Sequence, residues 1–328
     1  MLAGTPARTA TAPVDVTLPS FTFSTDAPAS LDEHRRFGHE LGATCASMIR
    51  ERFSAKAQLQ TMLRHARNTT SGAKLYGDFL AVHEWAYPQA VAELRGIAEG
   101  SKQPFDAVFV QNILEEYSLC ASETAPSVAG YTPVVDHCSD VMSCGEEGER
   151  VCAVAHNEDA GLEDLGRVVL VSARFGKVEW FAAAYAGALP TGAFGHSHSG
   201  GFGFTLNYVG PKEVVCPGVG RGFVSRSLLD AESFDEAIST ATTAKMSAGH
   251  NYQFWRSNIP TIHNVEVAAR GLYAVRPISE EAFFHANQYE TLNVPQMVGN
   301  SRLHRVARAK ELVDEIAPTT THALPPTT

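Results

Sequence analysis

Cations are scarce in this chain: 26 Lys and Arg stand against 36 Asp and Glu, a formal net charge of -10. Gripping phosphates or an anionic lipid surface needs clustered positive charge, so no nucleic-acid or membrane partner is expected. Long hydrophobic runs are missing too, and no apolar stretch approaches the roughly 18–20 residues of a membrane helix. Only six of the 328 residues are cysteine, which does not read as a disulfide framework, and a reducing compartment suits them. The first 29 residues hold one cation, Arg8, and no compact apolar stretch of the kind a secretory signal requires. A disordered leader and a cytoplasmic location are expected, with organelle transit as the alternative because no acid precedes Asp15. What is present is an ordinary globular mixture, 44% hydrophobic and 19% charged, with material for a sizeable core.

From Ser30 the pattern turns helical. Ser30 and Glu33 have capping-box spacing, and Phe37, Leu41, Cys45, Met48, Ile49 and Phe53 recur as one apolar stripe. Further helices are predicted over 58–67, over 77–100 with a bend near Pro88, and over 105–117. After Ala125 short β-like runs follow, at 151–156, 167–175, 178–185 and 202–208, rich in Val, Phe and Ala. Helices are predicted again at 222–230 and 234–242, the second capped by Ser233. Strands follow at 252–255, 261–268, 272–276 and 282–285, then a last helix over 302–316. Strand runs cluster and do not alternate strictly with helices, which favours helices packed on a mostly antiparallel sheet. The expected division is a leader (1–29), a helical segment (30–137), a sheet-and-helix region (138–317) and a Pro/Thr-rich disordered tail (318–328).

No repeat and no Gly-rich phosphate loop is found. Cys138, Cys144, Cys152 and His156 are spaced by six, eight and four residues, unlike the tight clips of structural zinc sites, so no metal is expected. His196 and His198 read as a solvated loop. A more promising constellation joins Cys138 to A-H-N-E-D (Ala155–Asp159) and T-L-N (Thr205–Asn207). A cysteine attacks only as thiolate and needs a nearby base. A backbone cut just before Cys138 would supply one, an α-amine with an unperturbed pKa of about 7.7–8.0. Asn side chains can steady the oxyanion of a tetrahedral intermediate. Taken alone, Cys138 reads equally well as a small buried hydrophobe.

Eight segments in one consistent order sharpen this. They are E-L-R-G-I-A-E-G (Glu93–Gly100), H-C-S-D (His137–Asp140), H-N-E-D (His156–Asp159) and F-T-L-N (Phe204–Asn207), then R-S-L-L-D-A-E-S-F-D-E-A-I (Arg226–Ile238), G-H-N-Y (Gly249–Tyr252), F-H-A-N-Q-Y (Phe284–Tyr289) and N-S-R-L-H-R-V-A-R-A-K-E-L (Asn300–Leu312). In these the chain resembles the acyl-coenzyme A:isopenicillin N acyltransferase family of N-terminal-nucleophile hydrolases. The resemblance implies an α+β fold, an αββα sandwich preceded by a helical segment, and a precursor that cleaves itself between His137 and Cys138. By position, Cys138 would carry the acyl group, Asp159 would bind the new α-amine, and Asn207 and Asn251 would face the oxyanion. Arg302 would hold Asp159, or merely follow Ser301 as a surface cation after a helix cap. Asn157 and Ser301 are candidate substrate contacts. His285 and Asn287 are expected to be structural, Glu99 to pack at a helix end, and His156 to be a satisfied strand histidine.

The expected activity is hydrolysis of small N-acyl amines, β-alanyl amines among them, with acyl-CoA-dependent transfer as the alternative and no cofactor. The cleaved subunits are expected to stay associated, and a homodimer is compatible with this. Two departures from the family stand out. His137 occupies the place where many relatives have Gly, which adopts strained backbone cheaply. Relatives also usually continue with an apolar strand after the last helix, so either the sheet lacks an edge or the sequence stops short of it. Two rivals follow: a papain-like thiol hydrolase using Cys138 and His285 without cleavage, and an unprocessed binding protein.

Overall fold

The computed structural model describes residues 18–124, 138–144, 152–191, 193–257, 259–279, 282–297 and 299–316. The expected cleavage residue His137, the tail 318–328 and the first 17 residues of the expected leader lie outside this set. The described remainder of that leader is ordered: strand β1 (Ser20–Thr25) runs parallel to β4 (Val168–Phe175), burying Phe21 and Phe23. Alternation of small polar residues with two Phe carries that strand, and Pro19 and Pro28 around it made it look like a linker.

Seven helices follow. They are α1 (Leu31–Thr44), α2 (Ala46–Ala55), α3 (Ala57–Asn68), α4 (Thr70–Ala86), α5 (Pro88–Ser101), α6 (Phe105–Asn112) and α7 (Leu114–Thr124). Ser30 caps α1 as expected, its hydroxyl accepting from the Glu33 amide at 3.2 Å. The single stripe from Phe37 to Phe53 is shared by two helices that break at Cys45. The expected bend at Pro88 is likewise a full break, with Pro88 opening α5 at a position where its missing N–H costs nothing.

The motif E-L-R-G-I-A-E-G now has a structural meaning. A Cβ on Gly96 or Gly100 would strike the backbone of Arg35 or His39, and one on Gly38 or Gly42 that of Glu93 or Ile97. The four glycines let α1 and α5 touch backbone to backbone. Glu93, fully buried, accepts from Arg226 (Nη2–Oε1 2.6 Å) and from His34 (2.6 Å), and Arg226 lies over the Trp180 ring. Glu99 meets Arg35 on the surface at the helix end.

The strands are β2 (Ser139–Cys144), β3 (Cys152–Asn157), β4, β5 (Val178–Tyr185), β6 (Phe194–Ser197), β7 (Phe202–Tyr208) and β8 (Gly210–Pro211). After α8 (Arg221–Leu228) and α9 (Phe234–Thr243) come β9 (His250–Arg256), β10 (Ile259–Ala268), β11 (Leu272–Ile278), β12 (Phe283–His285) and β13 (Gln296–Met297), then α10 (Asn300–Ile316). Among the described residues, eight strands form one sheet in the order β1-β4-β5-β6-β7-β9-β10-β11, antiparallel except for the β1–β4 pair. Helices α1–α9 share one apolar core with one face of it, through residues such as Trp180, Phe204 and Phe254. Against the other face a small sheet, β12-β2-β3, packs through Met142, Ile262 and Ile278, and α10 lies against β12. The fold is α+β, with two stacked β layers between helices. No helix among the described residues is long and apolar enough to cross a membrane.

The cysteine expectation needs correction. Cys120 is joined to Cys216 and Cys144 to Cys152, leaving Cys45 and Cys138 as free thiols. Cys144 and Cys152 face each other in the β2–β3 register, and the other pair lies 96 residues apart in sequence, a pairing that spacing cannot reveal. His196 also departs from expectation: it sits in β6, stacked on Phe181.

Candidate active site

Cys138 precedes β2, which pairs antiparallel with β3 in the register Ser139↔Asn157 and Asp140↔His156. That register sets Cys138 level with Glu158, just past the end of β3. The thiol donates to Glu158 Oε2 at 2.7 Å, and the same oxygen accepts from His156 Nε2 at 3.0 Å. On its other side His156 donates from Nδ1 to Asp140 Oδ1 at 2.7 Å. Period-2 alternation places Asp140 on the same face of β2 as Cys138. Asp140 is fully buried and also accepts from Thr205 (3.0 Å) and from the side-chain amide of Asn207. Tyr185, at the end of β5, donates to Glu158 Oε1 at 2.6 Å.

These contacts decide the protonation pattern. Burial opposes a charge on His156, yet hydrogen bonds to Asp140, Cys138 and Glu158 outweigh it and push the imidazole up to about 12. Glu158 is held below the usual carboxylate range because bonds from His156, Cys138 and Tyr185 outweigh its burial. Burial raises the Cys138 thiol to about 11, and the Glu158 charge adds to this while His156 opposes it. The site is an imidazolium between two carboxylates, with a protonated sulfur alongside.

The expected site residues separate into two groups. Cys138 and Asn207 converge on the Asp140–His156 pair. Asn157 donates to Asp159 at 2.9 Å, and both face outward at the mouth of the site. Asn251 stands across from Asn207 in the β7–β9 register, its amide on the Val265 carbonyl and its oxygen taking Gln253 at 2.6 Å. Arg302 reaches Glu290 at 3.2 Å, so the carboxylate beside it is not that of Asp159. Arg305, one turn on, takes the place beside Cys138: it donates to the Cys138 carbonyl and to Asn287 Oδ1, both at 2.7 Å, and to Ser301 at 3.3 Å. His285 bonds the Gln288 carbonyl at 2.7 Å, and burial lowers it to about 4. The imidazole at the thiol belongs to His156.

Sequence reasoning did not single out Asp140, Glu158, Tyr185 or Arg305 for roles. Asp140 and Glu158 were legible within H-C-S-D and H-N-E-D. Arg305 follows Ser301 by one helical turn, the spacing that puts both on one face. Nothing in the sequence marks Tyr185.

Glu158 and Asp159 line a cavity of about 400 Å³ that runs to Glu115, Glu116 and Arg221. Six acidic and three basic side chains line it. Burial raises Glu115 and Glu116 above the usual range, the nearby Arg221 opposing.

Comparison with known proteins gives two matches. The pattern of the family described as acyl-coenzyme A:6-aminopenicillanic acid acyl-transferase matches residues 145–324. A β-alanyl-dopamine/carcinine hydrolase of Drosophila melanogaster is 24% identical over 286 residues, covering 80% of this chain and 72% of the relative.

Proposed function

Because the chain belongs to the acyl-coenzyme A:6-aminopenicillanic acid acyl-transferase family, and is thus an enzyme acting on amide bonds, we propose that Cys138 is its nucleophile and that it hydrolyses small N-acyl amines. One observation carries this. Of the six cysteines, four are in disulfides and Cys45 is enclosed in the apolar core, so Cys138 alone joins a free thiol to titratable partners.

In this reading the protonated thiol is a resting state that a cut before Cys138 awakens. The freed α-amine takes the thiol proton, Asp159 orients it, and the sulfur attacks the amide carbonyl. A C–S bond forms and the C–N bond breaks, the amine leaving with the transferred proton. Water then attacks the thioester, releasing the acid and restoring the thiol. The amides of Asn207 and Asn251 face the oxyanion once they leave their resting partners, and Arg305, with Arg302 beside it, fixes the Cys138 backbone. Asn157 and Ser301 flank the bound substrate. The acidic cavity favours a cationic substrate, and a β-alanyl group, with its primary ammonium, meets that requirement.

N-terminal sequencing of purified protein tests the reading: a fragment beginning Cys138-Ser139-Asp140 is expected, and Cys138→Ala removes both that fragment and turnover. A second reading is favoured by the Asp140–His156 hydrogen bond, which holds the His156 imidazolium near the sulfur as the acid for the leaving amine of a thiol hydrolase in an uncut chain. Turnover by protein that keeps its full intact mass after reduction selects it over self-processing. Acyl transfer is tested by adding a competing primary amine and looking for the exchanged amide.

A further inference from the structure

The same cluster has a coordination chemistry that neither reading uses. Cys138 Sγ, a His156 ring nitrogen and a Glu158 carboxylate oxygen all lie within 4.8 Å of one another. We propose that Cys138, His156 and Glu158 form a binding site for a zinc-class divalent cation, which masks the sulfur reversibly.

The donor set fits that class. Thiolate, imidazole and carboxylate are the three protein ligand types of zinc, with bonds of about 2.3, 2.0–2.1 and 2.0–2.2 Å. A tetrahedral ion with such bonds spreads its donors to roughly 3.4–3.6 Å. The thiol and carboxylate now stand 2.7 Å apart and the imidazole and carboxylate 3.0 Å, so an ion replaces two hydrogen bonds by side-chain shifts of about 1 Å. The proton on sulfur and the one on Nε2 leave to solvent as the metal bonds form.

The surroundings argue more strongly than the donors. Zinc-bound histidines characteristically pass their second ring N–H to a carboxylate, and Nδ1 of His156 already gives its proton to buried Asp140 at 2.7 Å. Asp140 is in turn fixed by Thr205 and Asn207, and the non-ligating oxygen of Glu158 by the Tyr185 hydroxyl at 2.6 Å. The partners of the imidazole and of the carboxylate are thus preset. Glu158 also lines the cavity described above, from which water can supply a fourth ligand.

Binding does not depend on the proposed reaction; only the resulting inhibition does. Equilibrium dialysis of the full-length protein with Zn²⁺ should find one tight site, and Co²⁺ in its place should give a thiolate-to-metal charge-transfer band. Cys138→Ser and Glu158→Gln should each abolish the site, and Tyr185→Phe, which keeps the ring and removes only the hydroxyl, should weaken it about tenfold. Bound Zn²⁺ should also protect Cys138 from alkylation, a readout independent of turnover. The proposal is overturned if no stoichiometric site is found, or if binding survives Cys138→Ser. It is equally overturned if binding is lost instead in His196→Ala/His198→Ala, the neighbouring imidazole pair. Zinc binding without inhibition of a cleaved, active enzyme would refute the nucleophile assignment and leave the metal site standing.

Discussion

Replacing Glu158 by Gln should make Cys138 more reactive toward alkylation even as it harms catalysis. The thiol sits at about 11, raised first by burial and then by the neighbouring carboxylate, with His156 opposing. At about pH 8 roughly one thiol in a thousand is ionised, since each pH unit below the pKa costs a factor of ten. A unit charge at about 4 Å and an effective dielectric of about 20 contributes on the order of 4 kcal/mol, a ceiling of about three pKa units. Burial is unchanged in the variant and Gln still accepts a hydrogen bond, so a fall of about one to two units is expected. The iodoacetamide rate at about pH 8 should therefore rise about tenfold to a hundredfold, and the midpoint of its pH profile should move down. Glu158 follows the end of β3 and stands outside the apolar core, so the fold should survive. An unchanged or slower rate in a folded variant would refute the assigned electrostatics.

Other outcomes follow from the same geometry. Glu93→Ala leaves the buried Arg226 guanidinium with Asp230 as its remaining carboxylate and should cost about 3 kcal/mol in denaturant titration, whereas Arg35→Ala, on the exposed Glu99 pair, should leave the midpoint nearly unchanged. Gly96→Ala drives a methyl into the Arg35 backbone, and differential scanning calorimetry should show a loss of roughly 1–3 kcal/mol despite the better helix propensity of Ala. The folded pKa of His156 is raised, so its stabilising contribution is complete below about pH 6.5 and is lost as pH rises through about 12. The stability gap between wild type and His156→Gln, measured by urea titration, should then shrink steadily as pH rises from 6.5; a gap that widens would reverse the assignment.

Much of the architecture was readable from local pattern. Capping boxes at Ser30 and Ser233 and period-2 runs such as Val178–Tyr185 correspond to elements observed here. Strand β1 was not legible, because its pairing partner lies about 150 residues on, and neither was β2, whose D-H-C-S-D start is polar and turn-like. The site divided the same way. Motif order led to Cys138 and Asn207, which the sheet register brings to one spot. Roles that depend on a helix meeting a loop, such as Arg305 reaching the Cys138 carbonyl, have no one-dimensional trace. Arg302 and Arg305 differ by one turn, and only tertiary packing decides which guanidinium meets the Cys138 backbone.

The Cys120–Cys216 disulfide spans any cut made between His137 and Cys138. The bridge ties α7, on the amino side of that bond, to a residue well inside the other piece. A processed molecule would therefore migrate as a single band on a denaturing gel run without thiol, and would part into two only after reduction. On such a gel dithiothreitol decides whether maturation is visible, so a single band means nothing until the sulfurs have been separated.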